Sequence, residues 1–142
     1  MAQRVFPPRI VRDLMSRRVV AGLSAERLSV IAARMRREDI GAVVILEEGR
    51  MIGIITERDL VHAIGDGRDP KTTTAGTCMT ARPMTVRPGD SLTAAAGLMT
   101  ALGARHLPVV EDDRPVGFLS ARDIVRVDGR VTDAAGWTVQ GR

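Results

Sequence analysis

Gly53-Ile54-Ile55-Thr56-Glu57-Arg58-Asp59 and Gly117-Phe118-Leu119-Ser120-Ala121-Arg122-Asp123 carry one pattern twice, 64 residues apart. In each, a glycine and two apolar residues read as the end of a strand. A hydroxyl residue then opens a helix, and an aspartate follows three positions later, where it can reach back to the start of that helix. The offset is the key to the fold.

Sliding the chain against itself by 64 positions gives an ungapped match from Asp13/Thr77 to Val61/Val125, with eleven identities in 49 pairs; ordinary residue usage gives about three by chance. Outward from the quoted stretch, each copy has an apolar run (Met51 to Ile55; Pro115 to Leu119), a turn (Glu47-Glu48-Gly49-Arg50; Glu111 to Arg114) and another apolar run (Ala42 to Leu46; His106 to Val110). This reads as a hairpin covered on both faces. Before the hairpin, Leu28, Ile31, Ala32 and Met35, and likewise Leu92, Ala95, Ala96 and Met99, recur at helical spacing,. Ser24 and Asp90 suit the N-caps of these helices. Short extended pieces at Val19 to Ala21 and Pro83 to Val86 open the copies, and Leu60, Val61 and Ile64, or Ile124 and Val125, mark the closing helices. The methionine pairs Met15/Met79 and Met35/Met99 read as core fillers. The expected class is α+β: two tandem βαββα units, each with a small three-stranded sheet flanked by helices, packed as a pseudo-two-fold pair. The boundaries are an N-terminal extension 1–9, unit one 10–64, a turn-rich linker 65–74, unit two 75–127 and a tail 128–142, where Trp137 either docks or stays loose.

Composition narrows the function. With 142 residues, 44% hydrophobic and 27% charged, two half-size units must share burial to be stable. The pI of 10.8 reflects a formal charge of only +4 carried almost entirely by arginine,. With Phe6, Phe118 and Trp137 as the whole aromatic complement, base stacking is a poor reading, and nucleic acid is not the expected partner. Cys78 is alone, so no internal disulfide forms, and with only His62 and His106 beside it zinc is not expected. There is no secretory or membrane-spanning run, so a cytoplasmic protein is expected.

The double pattern resembles the tandem CBS domain pair, or Bateman module, named for the regulatory region of cystathionine beta-synthase. The resemblance rests on Val11-Arg12-Asp13-Leu14-Met15, on Arg105-His106-Leu107-Pro108-Val109-Val110 and on the two stretches quoted first, and it covers about residues 10 to 127. It implies a stand-alone regulatory module. In such pairs two clefts take adenosine-containing ligands such as AMP, ADP, ATP or S-adenosylmethionine, as regulatory ligands rather than cofactors. It further implies that Thr56 and Asp59, and Ser120 and Asp123, meet ribose and phosphate, that Val20 and Met84 line the adenine, and that flat homodimers form.

Physical chemistry supports a site at these positions. A helix start presents unpaired N–H groups to an anion, and an aspartate can accept both hydroxyls of a ribose. The plainer reading is a capping box with Asp in place of Glu. Arg58 and Arg122 are either phosphate contacts or a solvated helix face. Arg105 and His106 enter the second hairpin where the first copy has Gly41 and Ala42, so the second site is expected to hold phosphate more firmly; the alternative is a surface pair of Arg105 with Glu111 or Asp112. Leu28, Ile31, Ala95 and Met99 exceed what one sheet needs, which also predicts a homodimer. No nucleophile-base pair, carboxylate pair or phosphate loop stands at catalytic spacing, so an enzyme is not expected. The competing function is a ligand-free dimerisation or docking scaffold, and the regulated protein is not legible.

Overall fold

The computed structural model describes residues 8–128, 131–132 and 138–139, with side chains through 125. Trp137 lies outside the described residues. The chain divides into two compact units. The first holds Arg18–Met84 together with Asp112–Pro115. Among described residues, the second holds 8–17, 85–111 and 116 onward.

In the first unit, β1 (Ala21–Leu23), α1 (Leu28–Glu38), β2 (Ala42–Glu47), β3 (Arg50–Thr56) and α2 (Glu57–Gly65) follow the expected order, and α3 (Ala75–Cys78) and β4 (Thr80–Ala81) complete it. Its sheet runs β1-β2-β3-β4. β1 is parallel to β2, and both other pairings are antiparallel. Leu28, Ile31, Met35, Val43, Ile45, Ile55, Ala63 and Ala75 form the core. The second unit repeats this with a 3-10 turn (Val11–Asp13), α4 (Leu92–Leu102), β5 (His106–Glu111), β6 (Arg114–Ser120) and α5 (Ala121–Asp128). Val11, Val86, Leu92, Ala95, Met99, Leu107, Val109, Leu119 and Ile124 make its core. A short pair, β7 (Val131–Thr132) with β8 (Thr138–Val139), follows.

Repeat and compact unit are offset by one element. The residues that open the first repeat pack in the second unit, where Val11 is fully buried. Those that open the second repeat complete the first unit, with Ala75 fully buried and β4 on the edge of its sheet. The exchange caps both long helices with main-chain oxygens, since Leu28 N donates to Thr73 O and Leu92 N to Arg9 O, both at 3.0 Å. Ser24 is therefore not a cap. Residues 24–26 form a turn, Arg27 is the N-cap without a side-chain bond, and the helix starts later than the pattern suggested. In the second copy Ser91 caps α4 by accepting from Ala94 N, while Asp90 accepts from Arg87 N in the preceding turn. Asp13 does similar work in the 3-10 turn, and the bonds it accepts from Arg9 N and Ile10 N hold its carboxyl below the ordinary value.

The α+β architecture of two repeats is as expected, but the strand count differs. Among the described residues, the first unit's sheet has four strands and the second copy's hairpin sheet two. In the second copy the flanking strands shrink to single bridges, Val86 to Val109 and Ser16 to Phe118. One cause is Pro108. Its counterpart Val44 donates its N–H to Val20 O at 3.1 Å, and a proline has no N–H to donate. Another expectation is corrected: Leu28, Ile31, Ala95 and Met99 are all buried, because each helix packs its whole apolar stripe on its own unit. They supply no outward surface.

Glycine is required twice at matching positions. A Cβ on Gly53 would stand 2.5 Å from Met79 Sδ and 3.0 Å from Thr80 O, and one on Gly117 would collide with Ser16 O. The repeated glycine of the quoted pattern is thus where the exchanged segment crosses the hairpin.

Candidate ligand site

In each copy the Thr/Ser-x-x-Asp segment lies where the hairpin's second strand ends and the closing helix begins. In the first unit Thr56 pairs with Ala42 across β2 and β3, and Glu57 N donates to Gly41 O at 3.0 Å. Val20 O binds Val44 N nearby. Val20, Gly41 and Thr56 therefore share one end of the sheet. Thr56 is extended (φ −111, ψ 167) and caps α2. Its Oγ1 accepts from Asp59 N at 3.3 Å, its N–H donates to Asp59 Oδ2 at 2.9 Å, and its hydroxyl donates to the same oxygen at 3.2 Å. The capping box is complete. One carboxylate oxygen takes both bonds.

The second unit places its residues in the same way. Ala121 N donates to Arg105 O at 2.8 Å, and Ser120 Oγ accepts from Asp123 N at 3.1 Å. Arg105 thus stands with its main chain bonded to the first residue of α5, and His106 begins β5 beside it. The alternative surface pair is not made: among the described residues no ion pair joins Arg105 to Glu111 or Asp112. Thr56, Asp59, Ser120, Asp123, His106 and Val20 are half-buried, whereas Arg58, Arg105 and Arg122 are exposed. Met84, two residues before the Val86 bridge, is 51% exposed. Of the ten predicted site residues, the structure gathers Val20, Thr56, Arg58 and Asp59 about one helix start. It gathers Arg105, His106, Ser120, Arg122 and Asp123 about the other.

Two features escaped the sequence reading. The first is a half-buried ion pair beside β1, in which Arg34 donates to Glu26 at 2.9 and 2.7 Å and to Ala21 O at 3.1 Å, while Glu26 also accepts from Leu23 N at 2.9 Å. The hydrogen bonds from Arg34 hold the Glu26 carboxyl below its ordinary value, and Glu26 raises Arg34 in return. The second is charge at the helix start: α2 carries both Glu57 and Asp59 in its first turn, α5 only Asp123. Both signals lay in the differences between the copies, which a search for identities passes over. Among the described residues, no three His, Cys, Asp or Glu side chains gather as a metal site, and no helix is long and apolar enough to cross a membrane.

Two repeats of one α+β unit, each with a hydroxyl-capped helix at the end of its hairpin, define a tandem repeat module. The CBS domain model matches residues 11–66 and 75–130, and the chain belongs to the CBS domain family. It is 36% identical over 121 residues to an uncharacterised protein of Methanopyrus kandleri, covering 83% of this chain and 62% of that one. It is 33% identical over 117 residues to hypoxic response protein 1 of Mycobacterium tuberculosis, covering 81% and 82%. It spans 48% of a mitochondrial CBS domain-containing protein of Arabidopsis thaliana. Among solved structures it is similar to the CBS domain pair of protein MJ0100 in complex with 5′-methylthioadenosine and S-adenosyl-L-methionine, with a TM-score of 0.79 and 26% identity over 84% of this chain and 95% of that one.

Proposed function

We propose that this chain is a regulatory module that binds adenosine-containing ligands, AMP, ADP, ATP or S-adenosylmethionine, and passes their concentration on to a separate protein. The observation that carries the reading is the likeness to a domain pair solved with two adenosine compounds, together with Thr56/Asp59 and Ser120/Asp123 half-buried at two helix starts. In this reading the aspartates accept from ribose hydroxyls, the helix N–H groups and Arg58 or Arg122 face phosphate, and Val20 and Met84 flank the base. The module binds and does not catalyse. Its setting is the cytoplasm, where Cys78 remains a thiol.

The test is thermal unfolding with AMP, ADP, ATP, S-adenosylmethionine and 5′-methylthioadenosine in turn. A ligand at a hundredfold excess over its dissociation constant adds about 2.7 kcal/mol, a rise of several degrees in Tm. If none of the five raises Tm, the sensor reading fails. A scaffold reading then takes its place, favoured by the complete Thr56–Asp59 box, whose carboxylate is already bonded to its own helix start.

We also propose a homodimer, resting now on Val61 and Ile64, which are 67% and 62% exposed and lie three positions apart on α2. Light scattering should give twice the 15.3 kDa chain mass. A monomer at working concentration would contradict it.

A further inference from the structure

We propose that the charge on the first turn of the closing helix sorts ligands between the two copies, Glu57 turning 5′-phosphorylated ligands away from the first site while Arg105 attracts them to the second. This rests on the adenosine-binding reading above and names the ligand class of each site. The first copy favours adenosine derivatives whose 5′ substituent is uncharged or cationic, holding 5′-phosphates more weakly despite Arg58. The second takes those carrying a 5′-phosphate.

The two copies share a backbone at this point. In both copies the main-chain oxygen just before the hairpin accepts from the first residue of the helix, Gly41 O from Glu57 N and Arg105 O from Ala121 N. Main-chain positions 41 and 57 are therefore fixed to one another as 105 and 121 are. The side chains differ at both places. The first copy pairs a glycine with a glutamate, and the second pairs an arginine with an alanine. Arginine and aspartate follow in both, so with the aspartates and arginines cancelling, the first copy has one net negative charge at its helix start and the second one net positive. The two sites differ by two charges over one backbone.

The helix start itself is favourable to anions in both copies, through its unpaired N–H groups and the helix dipole. Glu57 opposes that attraction where Ala121 leaves it intact. An exposed carboxylate and a phosphate within one helical turn repel weakly in water, and the phosphate's near-double charge raises the effect to about five-fold in affinity. Arginine acts in the same direction in the second copy, through charge-assisted hydrogen bonds. A cationic substituent such as a sulfonium meets the opposite preference, with Glu57 favouring it.

The experiment is calorimetric titration with AMP and with 5′-methylthioadenosine, which differ at the 5′ position. The proteins are the wild type, the single-site backgrounds Asp123→Ala and Asp59→Ala, and Glu57→Gln in the first background and Ala121→Glu in the second, so that one site is read at a time. Removing the Glu57 charge should tighten AMP at the first site about five-fold and leave methylthioadenosine within two-fold. Adding a carboxylate with Ala121→Glu should weaken AMP at the second site by a similar factor. Changes that are equal for the two ligands, or absent, overturn the sorting while leaving adenosine binding intact. If the wild type binds neither compound, the adenosine reading itself falls and the sorting with it. Circular dichroism melting of each variant shows that a lost affinity is not lost folding.

Discussion

The two copies build one backbone with opposite choices of side chain where the opening strand meets the first helix. In the first copy Gly22 is paired with Ile31, and a Cβ on the glycine would stand 2.6 Å from Ile31 Cδ1. In the second the same positions hold Val86 and Ala95, both buried. Small against large has become large against small. Around this swap the first copy seats the Glu26–Arg34 pair, and the second replaces it with Asp90 and Leu98, the leucine packing on the apolar core. Volume is conserved between copies and polarity is not, which means the fold constrains the space and leaves the chemistry free to diverge.

The same trade occurs in the turns. The first copy spends its glycine at the hairpin, Gly49 with φ +77, and ends α1 on Asp39 in a left-handed conformation, φ 52. The second ends α4 on Gly103, φ 65, and makes its hairpin with Asp112 and Asp113, φ 51 and 62. At each of the equivalent positions 39/103 and 49/113 one copy has a glycine and the other an aspartate, while Glu48 (φ 50) and Asp112 are left-handed in both hairpins. An aspartate tolerates that region better than most residues but not as well as glycine.

The largest expected effect tests the volume swap. Gly22→Val and Ile31→Ala should each destabilise by about 3 kcal/mol in urea unfolding, the first by overpacking and the second by leaving a cavity. The double variant copies the second repeat and should cost about 2 kcal/mol less than the sum. Strict additivity would break the claim that the two positions share one space. Next in size is the ion pair, where Arg34→Leu without its companion changes should cost about 1–2 kcal/mol, by leaving Glu26 half-buried without its cation.

That pair also has a pH signature. The Glu26 carboxyl is held below its ordinary value of 4.5, so the folded state favours its ionised form. Its contribution is present in full well above that value and is lost as pH falls through the lowered folded value. Wild type and Glu26→Gln should therefore differ in Tm near neutral pH and converge in acid; a gap that stays constant down to acid would contradict the assignment. The smallest effect is in the turns. Asp39→Gly and Asp113→Gly should each stabilise by about 0.5–1 kcal/mol, the gain in the left-handed position outweighing the added freedom of the unfolded chain.

The repeat, the helical stripes and the hairpins were legible because each rests on periodicity that the copies share. The segment exchange was not. Nothing local in Val11 or Ala75 says that either packs in the unit of the other repeat, since a buried residue in a short segment looks the same whichever core receives it. Ser24 and Asp90 misled for a related reason: side-chain caps can be read from sequence, whereas Thr73 O and Arg9 O are main-chain caps delivered by distant segments. At the site, the threonine, serine and aspartates stand where the pattern placed them. The complete box in the first copy sets capping against ligand binding as the work of those aspartates.

That question has a direct measurement: calorimetric titration of adenosine into the wild type and into the Asp59→Ala, Asp123→Ala double variant, with folding checked by circular dichroism. A ribose hydroxyl deprived of its acceptor costs about 1–3 kcal/mol at each site, so adenosine affinity at each site should fall about five-fold to a hundred-fold while the folded spectrum is retained. Unchanged affinity in a folded double variant would contradict the account and return both residues to helix capping alone.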